Sequence, residues 1–220
     1  MQIPMSSPDL TEADVVAVNE VLDTRYLSLG PKIEAFEEAF ASYVGTQYAV
    51  GVSSGTSGLH LAVIAAGIEL GDLVITTPFS FIASANCVLF ERAIPVFVDI
   101  DPQTLNIDPA QVAQAADDLA QGGAAAEKWL PPASVHSQPY NIKAILPVDA
   151  FGQPADYDPL QKVARRHGLT LIEDGCEAIG AEYKGRKAGT LGDVAVFAFY
   201  PNKQMTTGEG GMIVTDRDDW

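Results

Sequence analysis

The chain has 220 residues, 47% of them hydrophobic and 19% charged, enough apolar material for one sizeable core. Its formal net charge of −16 excludes recognition of nucleic acid or anionic membrane through bulk electrostatics. The two cysteines, Cys87 and Cys176, have no metal-ligand spacing, which predicts thiols in a reducing compartment, hence the cytoplasm, and no metal site. Along the chain, Met1 to Pro8 lacks the basic and apolar regions of a secretory signal, and the strongest apolar run, Leu59 to Ala66, is too short to span a bilayer. Thr11 with Asp14 reads as a capping box, followed by Val15, Val18 and Leu22 at helical spacing. Pro31 then suits the first turn of a second helix whose stripe is Ile33, Phe36, Phe40 and Tyr43.

From residue 47 short apolar strands alternate with helices. Strands are predicted at Tyr48 to Val52, Leu73 to Thr76, Pro95 to Val98, Lys143 to Val148 and Leu169 to Ile172, with helices from Gly55, near Ser80 to Glu91 and near Pro159 to His167. Near-continuous Val/Ile/Leu runs, each followed by a helix, predict an α/β fold with a mostly parallel sheet covered on both faces. The Ala/Pro/Ser/Gln-rich stretch from Gly122 to Asn141 reads as an inserted surface loop. Met212 to Thr215 reads as a last strand, and Asp216 to Trp220 as a turn entering a helix that never arrives, so the expectation is a chain incomplete at its C-terminus.

In an open parallel sheet, ligands collect beyond the carboxyl ends of the strands, where Ser53 to Gly58, Thr77 to Phe81, Asp149 to Gln153 and Asp174 to Glu177 fall. Three features there form a set. The turn Ser53-Ser54-Gly55-Thr56-Ser57-Gly58 offers free N–H groups and hydroxyls at a helix start, a seat for phosphate. Asp174 ends an apolar strand, and Lys203 follows the aromatic run Phe197 to Tyr200 and precedes Thr206-Thr207-Gly208-Glu209-Gly210-Gly211. An amine, an acid and a phosphate cradle are the requirements for holding pyridoxal phosphate. Phe81 can stack on its ring, and Glu177, one turn beyond Asp174 if the chain is helical there, can reach its phenolic oxygen. A competing pattern, Gly51-x-Ser53-x-Gly55, matches a hydrolase nucleophile elbow with His136 or His167 as base. His60 sits on the helix behind the cradle and is given no role.

These residues resemble the DegT/StrS-type sugar aminotransferases, a family of fold-type-I pyridoxal-phosphate enzymes, over nearly the whole chain. The carriers are Gly30-Pro31, Ser53 to Gly58, Pro78-x-Ser80-Phe81, Pro95 to Asp99, Phe151-Gly152-Gln153-Pro154, Glu173-Asp174-x-Cys176-Glu177-Ala178 and Phe199-Tyr200-Pro201-Asn202-Lys203. The resemblance implies an aspartate-aminotransferase-like large domain over residues 1–220, lacking the family's smaller C-terminal domain. It implies that Lys203 is the catalytic amine, bonded to the cofactor as a Schiff base. Asp174 then pairs with the pyridine nitrogen, Gly55, Thr56 and Ser57 hold the phosphate, Phe81 stacks and Glu177 lies near cofactor and substrate. It further implies amino transfer, usually from glutamate, to a nucleotide-linked ketosugar, and a homodimer. A dehydrating branch of the family replaces the lysine by histidine, against which Lys203 speaks. Two departures stand out: Ala198 where many relatives carry a phosphate-contacting serine, and Asp149 where many carry histidine. The alternative is a truncated cofactor-binding module that acts as scaffold or regulator without turnover.

Overall fold

A computed structural model describes residues 7–132 and 141–220. Two helices open it: α1 (Glu12–Leu22) and α2 (Pro31–Val44). Thr11 and Asp14 form the expected capping box on α1. The αβ alternation follows as β1 (Tyr48–Val52), α3 (Gly55–Ala65), β2 (Leu73–Thr76), α4 (Ala83–Phe90), β3 (Ile94–Phe97), α5 (Pro109–Gln121), α6 (Gly123–Glu127), β4 (Ile142–Leu146), α7 (Tyr157–His167) and β5 (Thr170–Asp174). A small hairpin, β6 (Glu182–Tyr183) with β7 (Arg186–Lys187), precedes β8 (Val194–Ala198) and β9 (Gly211–Thr215).

Seven strands form one sheet in the order β1-β9-β8-β5-β4-β2-β3. Pairings from β8 through β3 are all parallel, and β9 alone runs against its neighbours β8 and β1. Both faces are covered, as the unbroken apolar runs require. On one face Val74, Ala144, Leu146, Ile172 and Val196 pack with Leu59, Val63 and Val88 of α3 and α4. On the other, Leu73, Ile75, Ile145 and Leu171 meet Val112 and Leu119 of α5 and Leu160 of α7. Further along that second face, Phe40 and Val44 of α2 close over Phe197, Phe199 and Met212. Pro95 is tolerated because β3 pairs only with β2, at the sheet's edge.

The sequence reading needs three corrections. The stretch from Gly122 is not wholly a surface loop. Gly123–Glu127 is helical, and Ala126 and Leu130 are buried against the α5 side of the core. Three successive alanines favour helix and bury cheaply in a narrow space, a signal outweighed by the Pro and Ser further on. Residues 133–140 of that stretch, including His136, lie outside the described residues. Helix α4 starts at Ala83 rather than near Ser80, because Pro78 to Ile82 form the turn that crosses the sheet edge. Glu177 lies in a turn and not on a helix, with the Ala178 N–H donating to the Gly175 carbonyl at 2.9 Å.

Candidate active site at the carboxyl edge of the sheet

Topology gathers the singled-out segments. The parallel strands β2, β4, β5 and β8 end on one edge, and each delivers its next few residues there. Two cavities, about 290 and about 560 Å³, open on that edge and share Phe81, Asp174, Cys176, Glu177 and Lys203 as walls. Gly55 and Thr56 line the larger one, Asp149 and Phe151 the smaller.

Asp174 is buried at the end of β5 and tied to two neighbours. Its Oδ2 accepts from the Ser84 hydroxyl at 2.7 Å, and its Oδ1 from the Cys176 N–H at 3.3 Å. The Ser80 and Ser84 hydroxyls lie 2.7 Å apart, so a short chain of hydroxyls leads from the Pro78–Ile82 turn to the carboxylate. With both oxygens tied to neighbouring donors, the carboxylate is held as a fixed negative pole facing the cavity.

Lys203 hangs on the long β8–β9 connection. The Phe199 N–H donates to the Gly210 carbonyl at 2.9 Å, the Thr207 N–H to the Phe199 carbonyl at 3.1 Å, and the Lys203 N–H to the Tyr200 carbonyl at 2.9 Å. These bonds make a fixed turn of what would otherwise be a mobile tip. The Lys203 side chain is only 16% exposed, and its Nζ donates to Glu177 Oε1 at 2.8 Å. Glu177 Oε2 in turn accepts from the Phe151 N–H at 3.1 Å. Phe151, at φ 55°, holds a left-handed conformation unusual for a non-glycine residue, and its ring meets Phe79 edge-on at 5.9 Å.

At the other end of the cavity α3 begins. Ser54 caps it, its Oγ accepting from the Ser57 N–H at 3.1 Å. The Gly55 and Thr56 N–H groups have no protein acceptor among the described residues, as the first turn of a helix dictates. Ser57 is placed differently: its hydroxyl lies 2.9 Å from Ser53 Oγ and 3.0 Å from Ser54 Oγ, and it does not line the cavities. A side chain at Gly55 has no room, since a Cβ there would stand 2.7 Å from the Ala198 Cβ and 2.8 Å from the Cys176 Sγ. The bare backbone is therefore the floor of this end.

Pyridoxal phosphate fits these walls. Free N–H groups at a helix start suit its dianion, Asp174 suits the ring nitrogen, Lys203 suits the aldehyde, and Phe81, 75% exposed over both cavities, offers a ring face. Among the described residues the hydrolase alternative finds no such set: the Ser53 hydroxyl pairs with Ser57, and His167 lies 3.0 Å from Asp117, while His136 lies outside the described residues.

Sequence reading missed Ser84, which secures Asp174, and Cys176, which lines both cavities beside it. The pairing of Ser80 with Ser84 four residues later was the available signal. Burial, with the Asp174 charge adding to it, pushes the Cys176 thiol well above its ordinary range, and Cys87 is pushed up to about 12 for the same two reasons.

Sheet order, covering helices and cleft together define the large domain of a fold-type-I aminotransferase. The chain belongs to the DegT/DnrJ/EryC1/StrS aminotransferase family, whose model matches residues 8–220 and whose members depend on pyridoxal phosphate. It is 44% identical over 219 residues to the GDP-perosamine synthase of Caulobacter vibrioides, covering 99% of this chain and 53% of that protein. Among solved structures, the aminotransferase from Psychrobacter cryohalolentis superposes with a TM-score of 0.83 at 35% identity, over 97% of this chain and 50% of that one. The PLP-form of the putative sugar aminotransferase Spr1654 from Streptococcus pneumoniae gives 0.84 at 26% identity, over 99% and 54%. The chain thus spans about half the length of the relatives it matches. No helix among the described residues is long and apolar enough to cross a membrane.

Proposed function

We propose that this chain forms the cofactor-binding half of an aminotransferase that moves an amino group from glutamate to a keto group of a nucleotide-linked sugar, in amino-sugar biosynthesis. One observation carries the reading: Lys203, Asp174 and the free Gly55 and Thr56 N–H groups face shared cavity space at the carboxyl edge of one sheet. Family membership and the likeness to a GDP-perosamine synthase support a sugar as amino acceptor.

Bound there, pyridoxal phosphate would supply an electron sink that lets an amino acid's Cα lose its proton. The chain's own residues do the rest. Lys203 would hold the cofactor through its amine, and that amine, when free, would carry the proton to and from Cα. Asp174, fixed by Ser84, keeps the ring nitrogen protonated. Gly55 and Thr56, with Ser57 closing the turn, hold the phosphate, and Phe81 covers the ring. Glu177 keeps Lys203 aimed into the cavity through their 2.8 Å contact. The same proposal includes a homodimer, supported by the exposed apolar residues Leu61, Ile64, Ile82 and Phe90 on and beside α3 and α4.

The test is a visible spectrum of the pyridoxal-phosphate-loaded protein before and after glutamate. The expected result is loss of the coloured form with glutamate and its return with a ketosugar nucleotide. Borohydride should fix the cofactor on Lys203 and nowhere else. An adduct that survives Lys203→Ala would overturn the assignment. Colour that never responds to glutamate would favour a binding module without turnover, a reading kept open by the half-length match.

A further inference from the structure

At the wall of the smaller cavity lies a second acidic group whose hydrogen bonding does not close if both its members are charged. Asp149, just after β4, is fully buried. Its Oδ1 accepts from the Ala155 N–H and the Tyr157 hydroxyl, each at 3.0 Å, while its Oδ2, also buried, has no donor among the described residues. Glu173, on β5 beside Asp174, is equally buried, and it adjoins Asp149: the Asp149 N–H donates to the carbonyl of the next residue, Asp174, at 3.0 Å, and the two carboxyls are electrostatic neighbours. Three backbone N–H groups already serve the Glu173 carboxylate: those of Gly189 at 2.5 Å, Leu191 at 3.0 Å and Gly192 at 3.3 Å.

We propose that Asp149 is a neutral carboxylic acid in the folded protein and donates its Oδ2 proton to the Glu173 carboxylate, making it a positioning residue for the strand ends that carry Asp174 and lead to Lys203. The proton turns a buried acceptor without a donor into a donor with an acceptor. The three N–H groups decide which member is ionised, because donors on a carboxylate favour its charged form. The titratable groups facing Asp149 are Tyr157 from α7 and Glu173 and Asp174 from β5, and Lys203 and Glu177 share a cavity with it. Burial, then the Glu173 charge, pushes the Asp149 carboxyl well above its usual range; burial raises Glu173 too, but the Gly189, Leu191 and Gly192 N–H groups offset part of that rise, which leaves Asp149 as the member that keeps the proton.

The consequence for position follows from what the pair connects. Asp149 follows β4 and its N–H donates to the Asp174 carbonyl at 3.0 Å, while Glu173 holds the Gly189–Gly192 turn that feeds β8. One shared proton therefore ties three adjacent strands at the edge where the cavity opens. This holds whatever the amino acceptor is.

The test is stability against pH for the unaltered chain and for Asp149→Asn, whose amide donates to Glu173 without needing a proton. An unfolded aspartate titrates near pH ~4, so above that the unfolded chain has released a proton that folded Asp149 keeps. The unaltered protein accordingly loses stability as pH rises towards the native value of Asp149, and the Asn variant lacks that loss. The ratio of the two folding constants, variant over unaltered, should rise by about tenfold per pH unit from about pH 5 to pH 7. A flat ratio would mean that Asp149 is already ionised, and would overturn the proposal. Should Asp149→Asn not fold, ¹³C NMR of the unaltered protein with labelled aspartate decides the matter. One carboxyl carbon must keep its protonated shift at neutral pH, and its absence overturns the proposal equally.

Discussion

Glu173 and Asp174 are neighbours on one strand, yet the two sides of that strand treat a carboxylate in opposite ways. Asp174 faces the cavity with a serine hydroxyl and one N–H for partners. Glu173 faces away, sealed among three backbone N–H groups and a second carboxyl. Alternation along a strand sends successive side chains to opposite faces, so one dipeptide supplies both a charge aimed at a ligand and a structural clasp. The difference teaches that burial alone does not mark a functional acid: the better test is whether its partners leave a direction open to the cleft.

Lys203→Ala probes the cleft side hardest. Amino transfer should fall by about 10²–10⁴-fold or more while the urea midpoint moves little, since among the described residues the side chain hydrogen-bonds Glu177 alone. An unchanged rate would detach the chemistry from this side of the strand. Glu173→Ala is the matching blow to the reverse side. It leaves three N–H groups and the Asp149 carboxyl without their acceptor, which should cost about 3 kcal/mol or more in urea denaturation. If it costs as little as a surface substitution, the clasp is not structural.

Gly55→Ala sharpens the cleft side. Its Cβ must displace Ala198 and Cys176, so stability should drop by about 1–3 kcal/mol and pyridoxal-phosphate affinity should weaken, read by fluorescence titration. Tyr157→Phe removes one hydroxyl from Asp149 and should cost about 1 kcal/mol, with affinity for the cofactor nearly unchanged. Smallest in free energy is a difference in thiol reactivity. Cys87, buried and with its thiol pushed up to about 12, should resist alkylation, whereas the half-buried Cys176 in the cleft should react slowly and be shielded by added pyridoxal phosphate.

Much of this comparison is legible in the residues in order. The strand bounds at Tyr48–Val52 and Leu73–Thr76 follow from apolar runs bounded by turn residues, and they match the structure. Pro31 at the start of α2 and the Thr11 box at the start of α1 are local chemistry, read from adjacent residues without knowledge of the fold. The carboxyl-edge rule put Gly55, Thr56, Phe81, Asp174 and Glu177 on one edge from strand direction alone, and in the structure they wall neighbouring cavities that Lys203 joins from the β8–β9 connection. Local signals failed where a residue's partner lies outside its own segment: Ala126 and Leu130 looked like loop until the α5 side of the core covered them. The motif also could not tell which way the Ser57 hydroxyl turns, and it lies against Ser53 and Ser54.

What the sequence determined by itself was the set of periodicities and caps, and so the α/β class, the edge on which ligands gather and the chemical kinds of group available there. Those properties depend on neighbours within a turn or two of each residue. The tertiary structure alone decided that Ser84 secures Asp174 across 90 residues, that Glu173 clasps the Gly189–Gly192 turn, and that Asp149 is sealed beside it. Charge and hydrogen bonding in a buried site depend on which groups are excluded from water together, and that is fixed only when the strands are side by side.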